Sequence, residues 1–238
     1  MRLIVALSGA TGSIYGIRLL ECLRDAGVET HAVISRWGVR TLLHETSYSK
    51  EQVEALATKA YAPGDMGAAI SSGSFKTDGM IVAPCSAKTL AAIAHGVGDN
   101  LIHRAADVIL KERRKLVLAV REAPLSDIHL ENMLRLSRMG AVVLPPVPAF
   151  YTKPQTLDDV VNHTVARLLD QFGIESPGLA RWTGDMGTGA ATNSAIRFAT
   201  GAAPAQRRAS ARTSFAAIPV SGSCHSGVFG TPSSFPRM

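Results

Sequence analysis

Cysteine is scarce in this 238-residue chain. Cys22, Cys85 and Cys224 are the only three, too few and too scattered for a disulfide framework or a zinc site. Charge is thin as well, at 18% of residues, while 46% are hydrophobic; that balance predicts a soluble globular protein with a sizeable buried core. No apolar run approaches the roughly 20 residues that a membrane-spanning helix needs. No basic stretch leads into an apolar run and a cleavage site at the amino end, so the expected location is a reducing cytoplasm. No internal repeat is present.

The net charge of +6 invites a nucleic-acid reading, but its placement argues against one. From Asp185 onward the chain carries Arg197, Arg207, Arg208, Arg212 and Arg237 against Asp185 alone, a balance of +4 that leaves +2 for everything before it. The basic excess belongs to the end of the chain and describes no binding face.

What is present is concentrated at the start. Residues 3–7 form a short unbroken apolar run, the pattern of a parallel strand covered on both faces. Ser8-Gly9-Ala10-Thr11-Gly12-Ser13 follows, small and hydroxylated, and then apolar residues recur at helical spacing to residue 23. A strand, a glycine-rich turn and a helix start in that order make an anion site, because free N–H groups and the helix dipole both favour negative charge. The turn lacks the Walker Lys-Ser/Thr and the spacing of a dinucleotide fingerprint, so a phosphate is expected there without its kind being decided.

Further strands are expected at residues 30–34, 80–83, 115–120 and 141–144, each followed by a helical pattern. Ser35 closes the second, where it suits a ligand contact or a plain helix N-cap, and one hydroxyl can serve both. The third leads into Pro84-Cys85-Ser86-Ala87-Lys88-Thr89, again hydroxyls at a helix start. Cys85 has no base beside it in sequence and reads as a small buried residue rather than a nucleophile. The helix over 101–114 carries Arg104 and Lys111, seven apart and so on one side. The fourth strand ends in Arg121-Glu122, a charged pair that is costly to bury idly. After the fifth comes a proline-stiffened loop to Tyr151, then a last helix over 156–172 that includes Arg167.

Five strands alternating with helices predict a single doubly wound, mostly parallel α/β sheet, a flavodoxin-like or Rossmann-like three-layer sandwich. It spans residues 1–184. Residues 185–238, rich in Ala, Ser, Thr, Gly, Pro and Arg without period, read as a low-complexity, disordered tail. Three strand ends offer small polar groups to one edge of the sheet, which suits a mononucleotide such as FMN.

The segments SGATGSIYG, HET, APCSAKT, RAADVILKERR, REAPLSDIHLENM and AFYTKP resemble the UbiX-type flavin prenyltransferases, and within them the B subunits associated with hydroxyarylic (phenolic) acid decarboxylases. The resemblance runs from about Leu3 to Trp182. It implies that a dimethylallyl group passes from dimethylallyl monophosphate to N5 and then C6 of reduced FMN, giving prenylated FMN for a UbiD-type aromatic acid decarboxylase. By matching positions, it implies that Gly9, Ala10, Thr11, Ser35, Ser86, Ala87, Lys88, Thr89 and Arg121 hold FMN. Lys111, Tyr151 and Arg167, with Arg104 nearby, would bind the allylic phosphate. Glu45 and Glu122 would serve proton transfer and cation stabilisation, and Trp182 would enclose the prenyl group. Thr11 stands where many relatives carry Ser, and keeps the hydroxyl. The resemblance also implies a homo-oligomer, a dodecamer built from trimers, with sites shared between neighbours.

The residue chemistry agrees with such a reaction. Arg and Lys stabilise a leaving phosphate, aromatic faces stabilise an allyl cation, and carboxylates take up protons. Asp158-Asp159 is the nearest thing to an Asp-rich magnesium motif, so a reaction without metal is expected. Two alternatives stay open: an FMN-dependent cysteine-type decarboxylase, and a non-catalytic FMN-binding accessory subunit of an aromatic acid decarboxylase. Against the first, APCSAKT and APLSDIHLENM replace the PASANT-like and PxMNxxMW-like segments of those decarboxylases. The second would not need Lys111, Tyr151 and Arg167.

Overall fold

The computed structural model describes residues 1–176 together with Arg181, Trp182 and Gly184. The extension from Asp185, and with it the expectation of a disordered tail, lies outside the described residues.

The apolar run at the start forms β1 (Arg2–Leu7), and the strands β2 (Glu29–Ile34), β4 (Gly79–Cys85), β5 (Lys115–Val120) and β6 (Val142–Val143) fall where the other runs lie. Helices α1 (Ser13–Asp25), α2 (Arg36–Glu45), α4 (Ala87–Ala94), α5 (Leu101–Lys111), α6 (Asp127–Arg138) and α7 (Leu157–Asp170) alternate with them, and a short α3 (Lys50–Glu54) follows α2. With β3 (Lys59–Tyr61) at one edge, the strands among the described residues pair in parallel, in the order β3-β2-β1-β4-β5-β6. Side chains alternate across the sheet. Leu3, Val5 and Leu7 pack with Ile17, Leu20, Val165 and Leu168 of α1 and α7, while Ile4 and Ala6 face the layer that holds Ile93, Ile109 and Leu136 of α4, α5 and α6. No helix among the described residues is long and apolar enough to cross a membrane.

Three local expectations are corrected. A sixth strand, β3 (Lys59–Tyr61), lies on the outer side of β2; with three residues and an exposed Lys59 it shows no periodicity, and Tyr61 is anchored by its hydroxyl against His31 Nδ1 at 2.8 Å. Strand β4 runs on through Pro84 to Cys85. A register shift between Val82 and Cys85 absorbs the proline, which has no N–H to give to a ladder. Helix α5 stops at Lys111, because the chain turns through a left-handed Arg113 (φ 55°) to enter β5.

The chain leaves β1 toward β2 and β3, then returns to the other side of β1 as β4. Strand order reverses there, and a crevice opens at the carboxyl ends of β1 and β4. The turns that bear Gly9–Thr11 and Ser86–Thr89 border it.

Candidate active site

The turn after β1 is locked to its neighbours by short polar contacts. Ser8 Oγ donates to the Pro84 carbonyl (2.9 Å) and accepts from the Ser86 N–H (2.8 Å), so one hydroxyl fixes the ends of β1 and β4 together. Both ends of α2 touch the same turn. At its start, the Ser35 N–H donates to the Leu7 carbonyl (2.9 Å) while Ser35 Oγ caps the helix by accepting from the Gly38 N–H (2.9 Å). At its end, the Glu45 carboxylate accepts from the N–H groups of Gly12 and Ser13, each at 2.9 Å, and from the Thr11 hydroxyl.

The amino end of α1 is therefore an anion site, as its sequence predicts, but the anion it holds is the chain's own Glu45. Partial burial works to raise the Glu45 pKa. The bonds from Thr11, Ser13 and Gly12 outweigh it and hold the carboxyl below its usual range. A phosphate is left to the next helix start. At α4 the Ser86 side chain accepts from the Thr89 N–H (3.2 Å) and meets the Thr89 hydroxyl (3.1 Å), and the N–H groups of Ala87 and Lys88 have no partner among the described residues. Two free donors at a helix start, with the hydroxyls of Ser86 and Thr89 at that start and of Ser35 at the end of β2, suit a phosphate monoester. Lys88 points away toward Asp99, at 3.6 Å.

Arg121 sits beside this helix start, its N–H donating to the Cys85 carbonyl (2.9 Å). Its guanidinium pairs with nothing among the described residues and lines a cavity of about 620 Å³, within the range of a small-ligand site. Thr11, Gly12 and Glu45 line the same cavity, with Tyr15, Tyr48 and Asp158. Those last three were not legible as site residues, since they come from three helical or loop segments far apart in sequence. Ser8 was within reach, being a hydroxyl at a strand's carboxyl end. Glu122, next to Arg121, is half-buried and accepts from the Ala123 N–H (3.1 Å). Cys85 is fully buried, and burial pushes its thiol up to about 12. It stays a thiol at neutral pH, so Cys85→Ala should leave turnover within about twofold and the native protein should resist alkylation by iodoacetamide.

The remaining predicted residues lie elsewhere on the same chain. Arg104 and Lys111 do share one side of α5: the Arg104 Nε donates to the Ser71 carbonyl (3.1 Å), and the Lys111 ammonium, paired with Glu112, lies against Gly73. Lys111 precedes β5 and Arg121 follows it, which sets the two apart by about 20 Å of strand. Arg167 is near the end of α7, bonded to Asp170 (2.9 Å), and Lys115 Nζ, at the start of β5, reaches the Gln171 carbonyl beyond that helix. Tyr151 meets His163 of α7 through its hydroxyl (3.1 Å) and Trp182 through its ring, edge-on at 5.9 Å. One chain thus carries two groups. Thr11, Ser35, Glu45, Ser86–Thr89, Arg121 and Glu122 gather at the carboxyl edge, while Lys111 and Arg167, toward the ends of α5 and α7, lie away from it.

The family model described as Flavoprotein matches residues 1–169. Flavin prenyltransferase UbiX of Neisseria meningitidis serogroup B is 57% identical over 183 residues, 77% of this chain and 97% of the relative. The chain belongs to the UbiX-type flavin prenyltransferases. Two solved structures show the same fold at high identity. A dodecameric FMN-dependent UbiX-like decarboxylase from Escherichia coli O157:H7 is 60% identical with a TM-score of 0.76, covering 76% of this chain and 99% of that one. AnUbiX in complex with FMN and dimethylallyl pyrophosphate is 53% identical with a TM-score of 0.75, covering 76% and 96%. Membership of this family gives the cavity beside Arg121 and Glu45 a chemistry that the fold alone would not license.

Proposed function

We propose that the chain transfers a dimethylallyl group from dimethylallyl monophosphate to reduced FMN, at N5 and then C6, and so makes the prenylated flavin that a UbiD-type decarboxylase uses. The observation that carries this reading is that an ionised Glu45, fixed by Thr11 and two backbone N–H groups, and Arg121, whose guanidinium has no partner among the described residues, line one cavity at the strand-order reversal. The free N–H groups of Ala87 and Lys88 and the hydroxyls of Ser35, Ser86 and Thr89 would hold the FMN phosphate, and Arg121 the flavin side of the cavity.

Reduced FMN, when bound, supplies the two nucleophilic positions. The chain's own residues do the rest. Arg104, Lys111, Arg167 and Tyr151 take the phosphate as the allylic C–O bond breaks and the electron pair leaves with oxygen. The rings of Tyr151 and Trp182 enclose the dimethylallyl group and stabilise its positive charge. Glu45, with the Thr11 hydroxyl, and Glu122 would move the protons: one taken up as the C–N bond forms at N5, one returned to the double bond of the dimethylallyl group so that its branched carbon can be attacked, and one taken from C6 as the C–C bond closes.

Such a site needs both groups of residues, and one chain holds them apart. We therefore read the working protein as a homo-oligomer in which the basic residues of one copy complete the carboxyl-edge group of another; the dodecameric E. coli relative supports this. The test is anaerobic incubation with reduced FMN and dimethylallyl monophosphate, without added metal, followed by the mass of the extracted flavin. A gain of one isoprenyl unit is the expected outcome. Recovery of unmodified FMN would favour an accessory or cysteine-decarboxylase role instead.

A further inference from the structure

Helix α7 carries His163, Arg167 and Asp170 at positions i, i+4 and i+7, which places all three on one stripe of its surface. Each engages a group that the proposed function assigns to the substrate, or is one itself. The His163 ring meets the Tyr151 hydroxyl at 3.1 Å, with the rings edge-on at 5.8 Å. Asp170 accepts from Arg167 Nη1 at 2.9 Å, and from Arg181 twice, at 3.1 Å on Oδ2 and 2.7 Å on Oδ1. Arg181 is the direct neighbour of Trp182, and Trp182 sets its ring against Tyr151 at 5.9 Å and 77°.

Asp170 is an odd residue for this place on electrostatic grounds alone. A carboxylate at the last position of a helix faces the negative end of the helix dipole. Two arginines offset that cost, and the side chain is only 15% exposed while both guanidinium groups stand about half in solvent. The two-pronged geometry matters more than the charge. A planar guanidinium held through two parallel bonds is fixed in orientation, whereas a single-point contact would let it swing. Fixing Arg181 in this way fixes the backbone from which Trp182 projects. Tyr151 is 51% exposed and Trp182 is 55% exposed, so little packing holds either ring in place.

We infer that Asp170 and Arg181 form a latch that fixes Trp182 against Tyr151, and that both are positioning residues for the dimethylallyl substrate. Asp170 also draws the Arg167 guanidinium toward itself, through one bond where Arg181 has two. The substrate part of this inference rests on the function proposed above; the latch itself does not.

The experiment compares Asp170→Asn, Arg181→Met and the double variant, each built on Trp37→Phe so that Trp182 is the only tryptophan left. Two readouts are taken on the full-length protein: Trp182 emission with acrylamide quenching, and KM and kcat for dimethylallyl monophosphate with reduced FMN. Both single variants should shift Trp182 emission to the red and raise its quenching. Both should raise KM about tenfold while FMN affinity holds. The double variant should be no worse than Arg181→Met in emission, since both changes break one contact. Arg181→Lys, which keeps the charge and loses the fork, should fall between wild type and Arg181→Met.

Unchanged emission and quenching in both single variants would overturn the latch. Emission that shifts while KM stays at the wild-type value would overturn the positioning role. Equal loss of FMN binding would do the same, as the mark of general unfolding. If the unsubstituted protein adds no dimethylallyl group at all, the proposed substrate is wrong, and the emission comparison still decides the latch.

Discussion

Glu45→Gln is expected to lower turnover of dimethylallyl monophosphate by about two to four orders of magnitude, the usual range for losing a positioned acid–base group. The substitution keeps the shape of the side chain and removes its ability to take a proton. It also turns an NH2 toward a site built from donors, since the N–H groups of Gly12 and Ser13 and the Thr11 hydroxyl all point at the present carboxylate. The amide oxygen can keep the two N–H groups while the NH2 donates to the Thr11 hydroxyl oxygen, so the cost in stability comes from exchanging a charged acceptor for a neutral one. The two losses are separable by pH. The folded Glu45 carboxyl lies below its ordinary value of 4.5, so its contribution to stability is complete above that value and is lost as pH falls through the lower folded one. Thermal unfolding of the wild type should therefore lose stability across that acid window, and Glu45→Gln should lose less there. Turnover near neutral pH with a normal flavin affinity would be the measurement that removes Glu45 from proton transfer.

The second large effect belongs to Lys111→Met. Loss of one cation from a leaving phosphate should cost about 10²- to 10³-fold in turnover, although Lys111 sits about 20 Å of strand away from Arg121 on its own chain. The decisive form of this test mixes two inactive proteins. When Lys111→Met and Glu45→Gln chains are unfolded, combined and reassembled, some sites receive a wild-type Lys111 from one copy and a wild-type Glu45 from another. Activity should return to the mixture. If both residues served the site from a single chain, every site would carry a defect and the mixture would stay as inactive as its parts.

Much of the fold could be read from local pattern. Strands β1 and β5 are near-continuous apolar runs because both sheet faces are covered, and the helices of the sandwich are bounded by Ser35, Ser86, Asn100, Ser126 and Thr156, each of which caps the helix that follows it through its side chain. What escaped were the features whose cause is not local. Strand β3 has too few residues to show a period and exists through pairing with β2 and the contact of Tyr61 with His31. The continuation of β4 through Pro84 depends on a register shift against β5, which no property of Pro84 alone announces.

The site divides along the same line. The hydroxyls, the glycine-rich turn and the Arg121-Glu122 pair were legible because strand–turn–helix order places them at the carboxyl edge of any doubly wound sheet. Composition placed the basic excess after residue 184, and motif order assigned the family. Which oxyanion fills the start of α1 was decided only by the fold: α2 lies so that its last residue, Glu45, reaches the turn after β1, and no spacing rule predicts the path of a helix across an edge. The separation of Lys111 and Arg167 from Arg121 was likewise settled by the tertiary structure. Sequence reports which chemical groups a chain owns and on which face of an element each stands. Distance between elements is set by packing, through the summed contacts of two buried layers, and so it appears only when the whole chain is folded.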